Sequence, residues 1–103
     1  MDMSRKVELE SLEHSTFTPL VGGVFMVKTG LGAELRLHEA KLLGQRRAGA
    51  ARDPFSLTFR GARGLRIEQG VHVIECEALG QMEIFITQIA MGQQGADFEA
   101  VFT

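Results

Sequence analysis

The chain has 103 residues, of which 45% are hydrophobic and 23% charged, values typical of one folded globular domain rather than a disordered segment. Its single cysteine, Cys76, excludes an internal disulfide, and no apolar stretch reaches the about 18 residues needed to cross a bilayer. No signal peptide is recognisable, so we expect a reducing cytoplasm, or leaderless assembly into a larger particle.

Charged and polar residues predominate at the start of the chain, which predicts a polar arm over residues 1–12. A single β domain is expected over residues 13–103. One helical turn is expected early in that domain. Pro19 suits a first helical position, and Gly22 suits a left-handed ending. Such a turn would direct the side chain of Phe17 into the core.

Six short runs of apolar and β-branched residues, bounded by glycines, predict six strands. These runs are residues 24–29, 34–43, 55–60, 71–76, 82–89 and 97–102. Short connections favour antiparallel neighbours, and a break in the alternation before Ala40 indicates a bulge or a sharp bend. The predicted fold is mainly β, a small antiparallel meander barrel or roll of about six strands with one short N-terminal helical turn.

Charge is distributed unevenly along the chain. Residues 41–66 include seven basic residues and one acidic residue, whereas the rest of the chain has four basic and twelve acidic residues. This polarity favours association with a protein, because complementary charges set orientation and association rate. The candidate binding residues of this segment are Arg46, Arg47, Arg52 and Arg63.

The basic segment has two other interpretations. Nucleic acid is not favoured as a partner, because the chain has neither tyrosine nor tryptophan for base stacking and its net charge is −2. The bland alternative is that residues 45–52 form only a solvated hairpin tip.

The strand predicted at residues 82–89 is apolar on both faces. One face, which begins with Met82, can enter the core, and the other carries Phe85 and Ile89. This second face needs cover from the N-terminal segment, a second sheet or another subunit, because a contiguous apolar patch is uncommon on a monomer. Phe85 and Ile89 are therefore candidate binding residues, and a protein partner or a homo-oligomer is expected.

No pattern of residues points to catalysis, to a metal or to a cofactor. The three histidines lack the short paired spacing of zinc ligands, and the glycines lack the phosphate-binding patterns. An enzyme would need a pocket that unites His38 or His72 with Glu75 or Glu77. A further alternative is a small-barrel carrier that holds an apolar small-molecule ligand among the core side chains.

The segments FTPLVG, PFSLTFRG, EQG, ALG and FEAVF follow one another along the chain, beginning at Phe17, Pro54, Glu68, Ala78 and Phe98. Their order resembles a family of small bacterial domains that has no assigned activity. Some members look associated with genes for tail-collar-like fibre proteins of phage-related systems. The resemblance implies kinship in fold over most of the chain and transfers no catalytic residue.

Charge, the two-faced strand and the resemblance together predict a non-catalytic protein-interaction or assembly module. The resemblance adds a phage-tail-like or fibre system as its setting, and the alternative remains the carrier of an apolar ligand.

Overall fold

The computed structural model describes residues 9–50 and 52–103, so the first eight residues of the predicted polar arm lie outside the described residues. The described chain begins with a 3₁₀ turn and a short helix, continues through a second 3₁₀ turn, and then forms six strands. The elements are the first 3₁₀ turn Leu9–Ser11, helix α1 His14–Phe17, the second 3₁₀ turn Thr18–Leu20, and strands β1 Val24–Val27, β2 Ala33–Leu42, β3 Phe55–Gly61, β4 Gly70–Cys76, β5 Gly80–Gly92 and β6 Gly95–Phe102.

The six strands close into an antiparallel barrel in the order β1-β2-β3-β6-β5-β4. The predicted fold class, a small antiparallel barrel after a short helical turn, is confirmed. The strands are connected as two meanders rather than one, since β1-β2-β3 and β4-β5-β6 are joined by a crossover at residues 62–69. The barrel therefore has two seams between the meanders, one at β3–β6 and one at β1–β4.

The two seams differ in length. The β3–β6 seam runs without interruption from the pair Phe55 and Phe102 to the pair Gly61 and Ala96. The β1–β4 seam has only the pairs of Met26 with Glu75 and Val27 with Ile74. Backbone pairing between the two meanders is therefore concentrated at β3–β6.

Two bulges bend the longest strands. The register of β2 against β3 shifts between Leu37 and Glu39, which confirms the bend predicted just before Ala40. The register of β5 against β6 shifts between Gln88 and Ala90. A bulge increases local bending and twist, which lets strands of this length follow the wall of a narrow barrel.

The N-terminal helical segment closes one end of the barrel. Pro19 lies in the first turn of the second 3₁₀ helix, and Gly22, just beyond that helix, has φ +91°. Phe17 is fully buried, with its ring centroid 5.8 Å from that of Phe55 and 5.9 Å from that of Phe102. The helical turn predicted to carry Phe17 into the core is confirmed.

The core fills the barrel from end to end. Leu12, the last residue of the predicted arm, is buried with the strand residues, and the crossover packs Leu65 and Ile67 against the core at the end opposite Phe17. Phe55, Leu57 and Phe59 of β3 all point inward. Side chains therefore occupy the interior, and both ends are capped by the chain itself.

Candidate functional site

The two meanders carry opposite charge. Residues 24–66, which contain β1 to β3 and most of the crossover, have nine basic and three acidic residues. Residues 67–103, which contain β4 to β6, have six acidic residues and neither lysine nor arginine. Because each meander forms one side of the barrel, the uneven charge of the sequence becomes a basic side and an acidic side of the molecule.

An ion pair joins the two sides at each seam. Across β3–β6, the Nε of Arg60 lies 2.8 Å from Oδ1 of Asp97, and its Nη2 lies 3.2 Å from Oδ2. Across β1–β4, the Nζ of Lys28 lies 3.8 Å from Oε1 of Glu75. The hydrogen bonds between Arg60 and Asp97 raise the pKa of the guanidinium and lower the pKa of the carboxyl group.

Asp97→Asn is expected to destabilise the barrel at neutral pH and to have less effect in acid. A carboxyl group whose pKa is lowered by folding stabilises the fold above its ordinary pKa of 3.8. That stabilisation is lost as the pH falls through the folded-state value. Urea unfolding between pH 7 and pH 2 should show the gap between the variant and the wild type closing in acid.

The matched control for this prediction is Glu99→Gln, which removes a negative charge from the same strand without breaking the pair of Arg60 and Asp97. A gap between Asp97→Asn and the wild type that stays constant over the whole pH range would contradict the assignment.

Arg52 is held by contacts within the fold. Its Nη1 donates to the backbone oxygens of Leu9 and Leu12, at 2.5 and 2.8 Å, and its Nη2 donates to the backbone oxygen of Thr103 at 3.4 Å. The oxygen of Leu9 also accepts from the backbone N–H of Leu12 at 3.1 Å, so Arg52 adds a second donor to it. Of the candidate binding arginines, this one ties the N-terminal segment to the end of β6.

Arg52→Lys is expected to loosen the N-terminal segment, with a loss of roughly 1–2 kcal/mol in the free energy of unfolding. Lysine keeps the charge but lacks the planar fork that reaches several carbonyl oxygens at once. It also loses the position of the guanidinium carbon, 5.8 Å from the ring centroid of Phe55 and 5.4 Å from that of Phe102. Hydrogen exchange of the amides at residues 9–13 should accelerate, whereas the exposed Arg47→Lys should leave it unchanged. Equal exchange in both variants would refute this role.

The structure separates the other three candidate arginines. Arg46 and Arg47 are exposed in the loop between β2 and β3, where the backbone N–H of Arg46 donates to Oδ1 of Asp53 at 2.6 Å. Arg63 is exposed in the crossover, at the opposite end of the barrel. Of these three, Arg46 and Arg47 therefore share one loop surface, and Arg46 also lines a hollow with Arg52.

Phe85 lies at the centre of an exposed apolar surface. It is 51% exposed, and its register partner on β4, Val71, is 63% exposed. On β6, Val101 is 53% exposed and lies two residues beyond Glu99, the partner of Thr87 on β5. If the same register is continued by two residues along both strands, Val101 lies opposite Phe85. Val71, Phe85 and Val101 are called the apolar face below.

The other candidate on β5, Ile89, lies at the second bulge and is half exposed. Ile89 lies toward the end of β5 that is farther from Val101. It is therefore at the border of the apolar face and is not one of its three residues. Val71 and Val101 were missed at the sequence level. The sequence does contain a signal for both residues. Side chains alternate along a strand, so Val71 lies outside if Ile74 is inside, and Val101 lies outside if Phe98 and Phe102 are inside.

Carboxylates border the apolar face. Glu83 precedes Phe85 by two residues on the same side of β5, and it pairs in register with Val73. Glu99 stands in the same relation to Val101 on β6. The surface therefore combines an apolar centre with negative charge at its edges.

The loop between β2 and β3 has the opposite character. Its residues 43–50, called the basic loop, present Arg46 and Arg47 next to Leu42 and Leu43, which are 48% and 49% exposed. In the closed strand order, β2 lies three strands away from β5 in either direction. The loop leads into β3, whose Ser56 pairs with Val101 on β6, so it is closest to the Val101 edge of the apolar face, and Phe85 and Val71 lie on the two strands beyond.

A family model described as "Domain of unknown function (DUF6916)" matches residues 12–102. The chain belongs to this family. The match confirms the resemblance to a family without an assigned function. Its range begins at Leu12 and ends at Phe102, which are the first and last buried apolar residues of the described chain. No curated protein and no solved structure matches the chain.

The histidines and glutamates that an enzyme would have to unite do not line one pocket, because the hollow lined by Glu75 and Glu77 includes neither His38 nor His72. His72 is bonded through Nε2 to the backbone oxygen of Glu68 and through Nδ1 to the hydroxyl of Thr29, both at 2.7 Å. Since a carbonyl oxygen only accepts, Nε2 of the neutral ring donates there and Nδ1 accepts from the hydroxyl. Glu75 is paired with Lys28 instead. His72 therefore fastens the loop after β1 to β4.

Cys76 lines the same open hollow as Glu75 and Glu77. Cys76 is buried, and burial raises the pKa of its thiol, which keeps it protonated at neutral pH. The described residues contain no group of three metal-binding side chains, and no helix in the same ranges is long and apolar enough to cross a membrane.

Proposed function

We propose that the domain is a non-catalytic protein-interaction or assembly module that binds a partner through the apolar face. The observation that carries the proposal is the exposure of Phe85 and its register partner Val71, together with that of Val101 on the next strand, β6. The opposite face of β5 already supplies Met82, Ile84 and Ile86 to the core, so the exposed residues are not needed to build the barrel. Covering them would remove apolar area from water, which is favourable.

The surroundings of the apolar face support the same proposal. Protein interfaces commonly have an apolar centre and a polar rim that excludes water and sets orientation. Phe85 supplies an aromatic centre, and Glu83 and Glu99 supply charge at the edge. Phe85 keeps 51% of its surface exposed on the outside of the barrel.

The setting of the proposal is a phage-tail-like or fibre system, as the family resemblance implies, with the chain folding in a reducing cytoplasm. The carrier of an apolar ligand has no comparable support, because the phenylalanine cluster and the capped ends fill the space that a ligand would need.

The test is a photo-crosslinking amino acid at position 85 in cells that produce the protein. A discrete adduct is expected from position 85, and the same probe at Glu39, exposed on β2 across the barrel, should give none. The adduct should disappear when Val71→Asp is introduced beside the probe, because a buried unpaired carboxylate opposes binding. An absence of any adduct at position 85, or an adduct unaffected by Val71→Asp, would overturn the proposal.

A further inference from the structure

The apolar face sets clear requirements for whatever binds it. It offers Val71, Phe85 and Val101 at the centre and the carboxylate of Glu99 nearby. The whole meander that carries it contains neither lysine nor arginine. A complementary surface must therefore bring exposed apolar side chains together with positive charge.

The basic loop of this chain has that composition. Leu43, together with Leu42 at the end of β2, supplies exposed apolar side chains, and Arg46 and Arg47 supply two positive charges within a few residues. None of the hydrogen bonds or ion pairs found in the described chain ends on either guanidinium. The two arginines therefore do not have to break an internal bond to meet a partner.

The backbone of the basic loop is anchored at several points. Besides the bond from Arg46 to Asp53, the N–H of Leu43 donates to the oxygen of Pro54 at 2.9 Å, and that of Ala50 donates to the oxygen of Arg47 at 3.0 Å. A loop shaped in advance loses less conformational freedom on binding.

The basic loop does not cover the apolar face of its own molecule, since Leu43 of the loop is 49% exposed and Phe85 of the face is 51% exposed. Resting on the proposed function, we infer that the partner is a second copy of this chain, whose basic loop docks on the apolar face. The contact joins two different surfaces, which makes it heterologous. The opposite charges of the two sides of each barrel favour this orientation.

The contact is expected to be weak and sensitive to salt. A loop of this size buries less than a standard interface, and exposed charges are screened within about 10 Å at 0.1 M salt. Sedimentation equilibrium should extend to about 1 mM chain, where even a Kd of 1 mM leaves a measurable associated fraction. The wild type should associate at low salt and revert toward the 11.3 kDa monomer in 1 M sodium chloride.

Two variants test the basic loop and the apolar face independently. The double variant Arg46→Glu with Arg47→Glu removes the loop contact, and Phe85→Asp removes the face contact. Each is expected to weaken self-association at least about tenfold, which is typical of a central interface residue. An equimolar mixture should recover association, because one variant keeps an intact face and the other an intact loop.

The controls guard against other causes. Arg63→Glu reverses a charge at the far end of the barrel and should leave association unchanged. Circular dichroism and thermal unfolding report whether each variant is folded, and Val101→Asp replaces Phe85→Asp if that variant does not fold. A monomeric wild type at every concentration, or a mixture that stays monomeric, would overturn the inference.

Crosslinking at position 85 shows whether only the second-copy inference is wrong or the proposed function is wrong as well. An adduct of two copies of the chain supports both. A specific adduct with a different protein, together with a monomeric wild type, overturns only the second-copy inference. No adduct in cells, and none with the purified chain at about 1 mM and low salt, overturns both.

Discussion

Phe55→Ala is expected to lower the free energy of unfolding by roughly 3–5 kcal/mol. The ring of Phe55 is fully buried and stacks on that of Phe102, with centroids 4.6 Å apart and planes 4° from parallel. It also contacts Phe17 of α1 and the edge of the His14 ring. Removing it leaves a cavity where β3, β6 and α1 meet, and the β3–β6 ladder on either side limits collapse into that space.

Phe85→Ala is the matched control, because it deletes the same side chain from the outer face of another strand. Its cost in the monomer should stay below about 1 kcal/mol, since half of the ring is already in water. Both variants should be unfolded with urea at low protein concentration and high salt, where self-association does not contribute. Similar losses for the two variants would mean that the assignment of inner and outer faces is wrong.

The contrast between these two phenylalanines shows what local sequence can predict. Strict alternation from residue 55 to residue 60 places Phe55 inside, because successive side chains of a strand point to opposite faces. The two-faced pattern of residues 82–89 likewise separates Met82 from Phe85. The bulge before Ala40 was also predictable, since it interrupts the same alternation.

Strand order depends on information that the local pattern lacks. A short connection between two strands predicts a hairpin. The crossover at residues 62–69 is longer, and it connects β3 to β4, which are not neighbours in the barrel. The pairs of β3 with β6 and of β1 with β4 join residues far apart in sequence. Consequently, the uneven charge was predictable from composition, whereas its division between two sides of a barrel required the topology.

The candidate arginines illustrate the same limit at the level of a side chain. Arg46, Arg47 and Arg52 occupy one basic segment and have nothing in their immediate sequence to distinguish them. Arg52 differs because Leu9 and Leu12, about forty positions away, bring their backbone oxygens to its guanidinium. A binding role for Arg52 would have to break these bonds, so the partner surface is better represented by Arg46 and Arg47.

The second large loss of stability is expected from a substitution at the seam between β3 and β6. Gly95→Ala is expected to destabilise the fold by roughly 2–4 kcal/mol. Gly95 has φ +136°, which an L-residue with a side chain rarely adopts, and a Cβ there would lie against the backbone oxygen of Gly61 and 3.2 Å from Cγ of Arg60. Backbone cannot move aside as a flexible side chain does, so β6 would have to shift away from β3.

Gly92→Ala tests this explanation, because Gly92 and Gly95 are register partners on β5 and β6. A Cβ on Gly92 would meet no atom within 4 Å, and its φ lies outside the left-handed region. The control should therefore change the free energy of unfolding by no more than about 0.5 kcal/mol. The Gly95 variant should lose stability and show faster amide exchange at the Gly61 end of β3, near the ion pair of Arg60 and Asp97. Equal stability of the two variants would contradict the close approach of β6 to β3 at Gly61, and with it the account of how the acidic and basic sides of the barrel are held together.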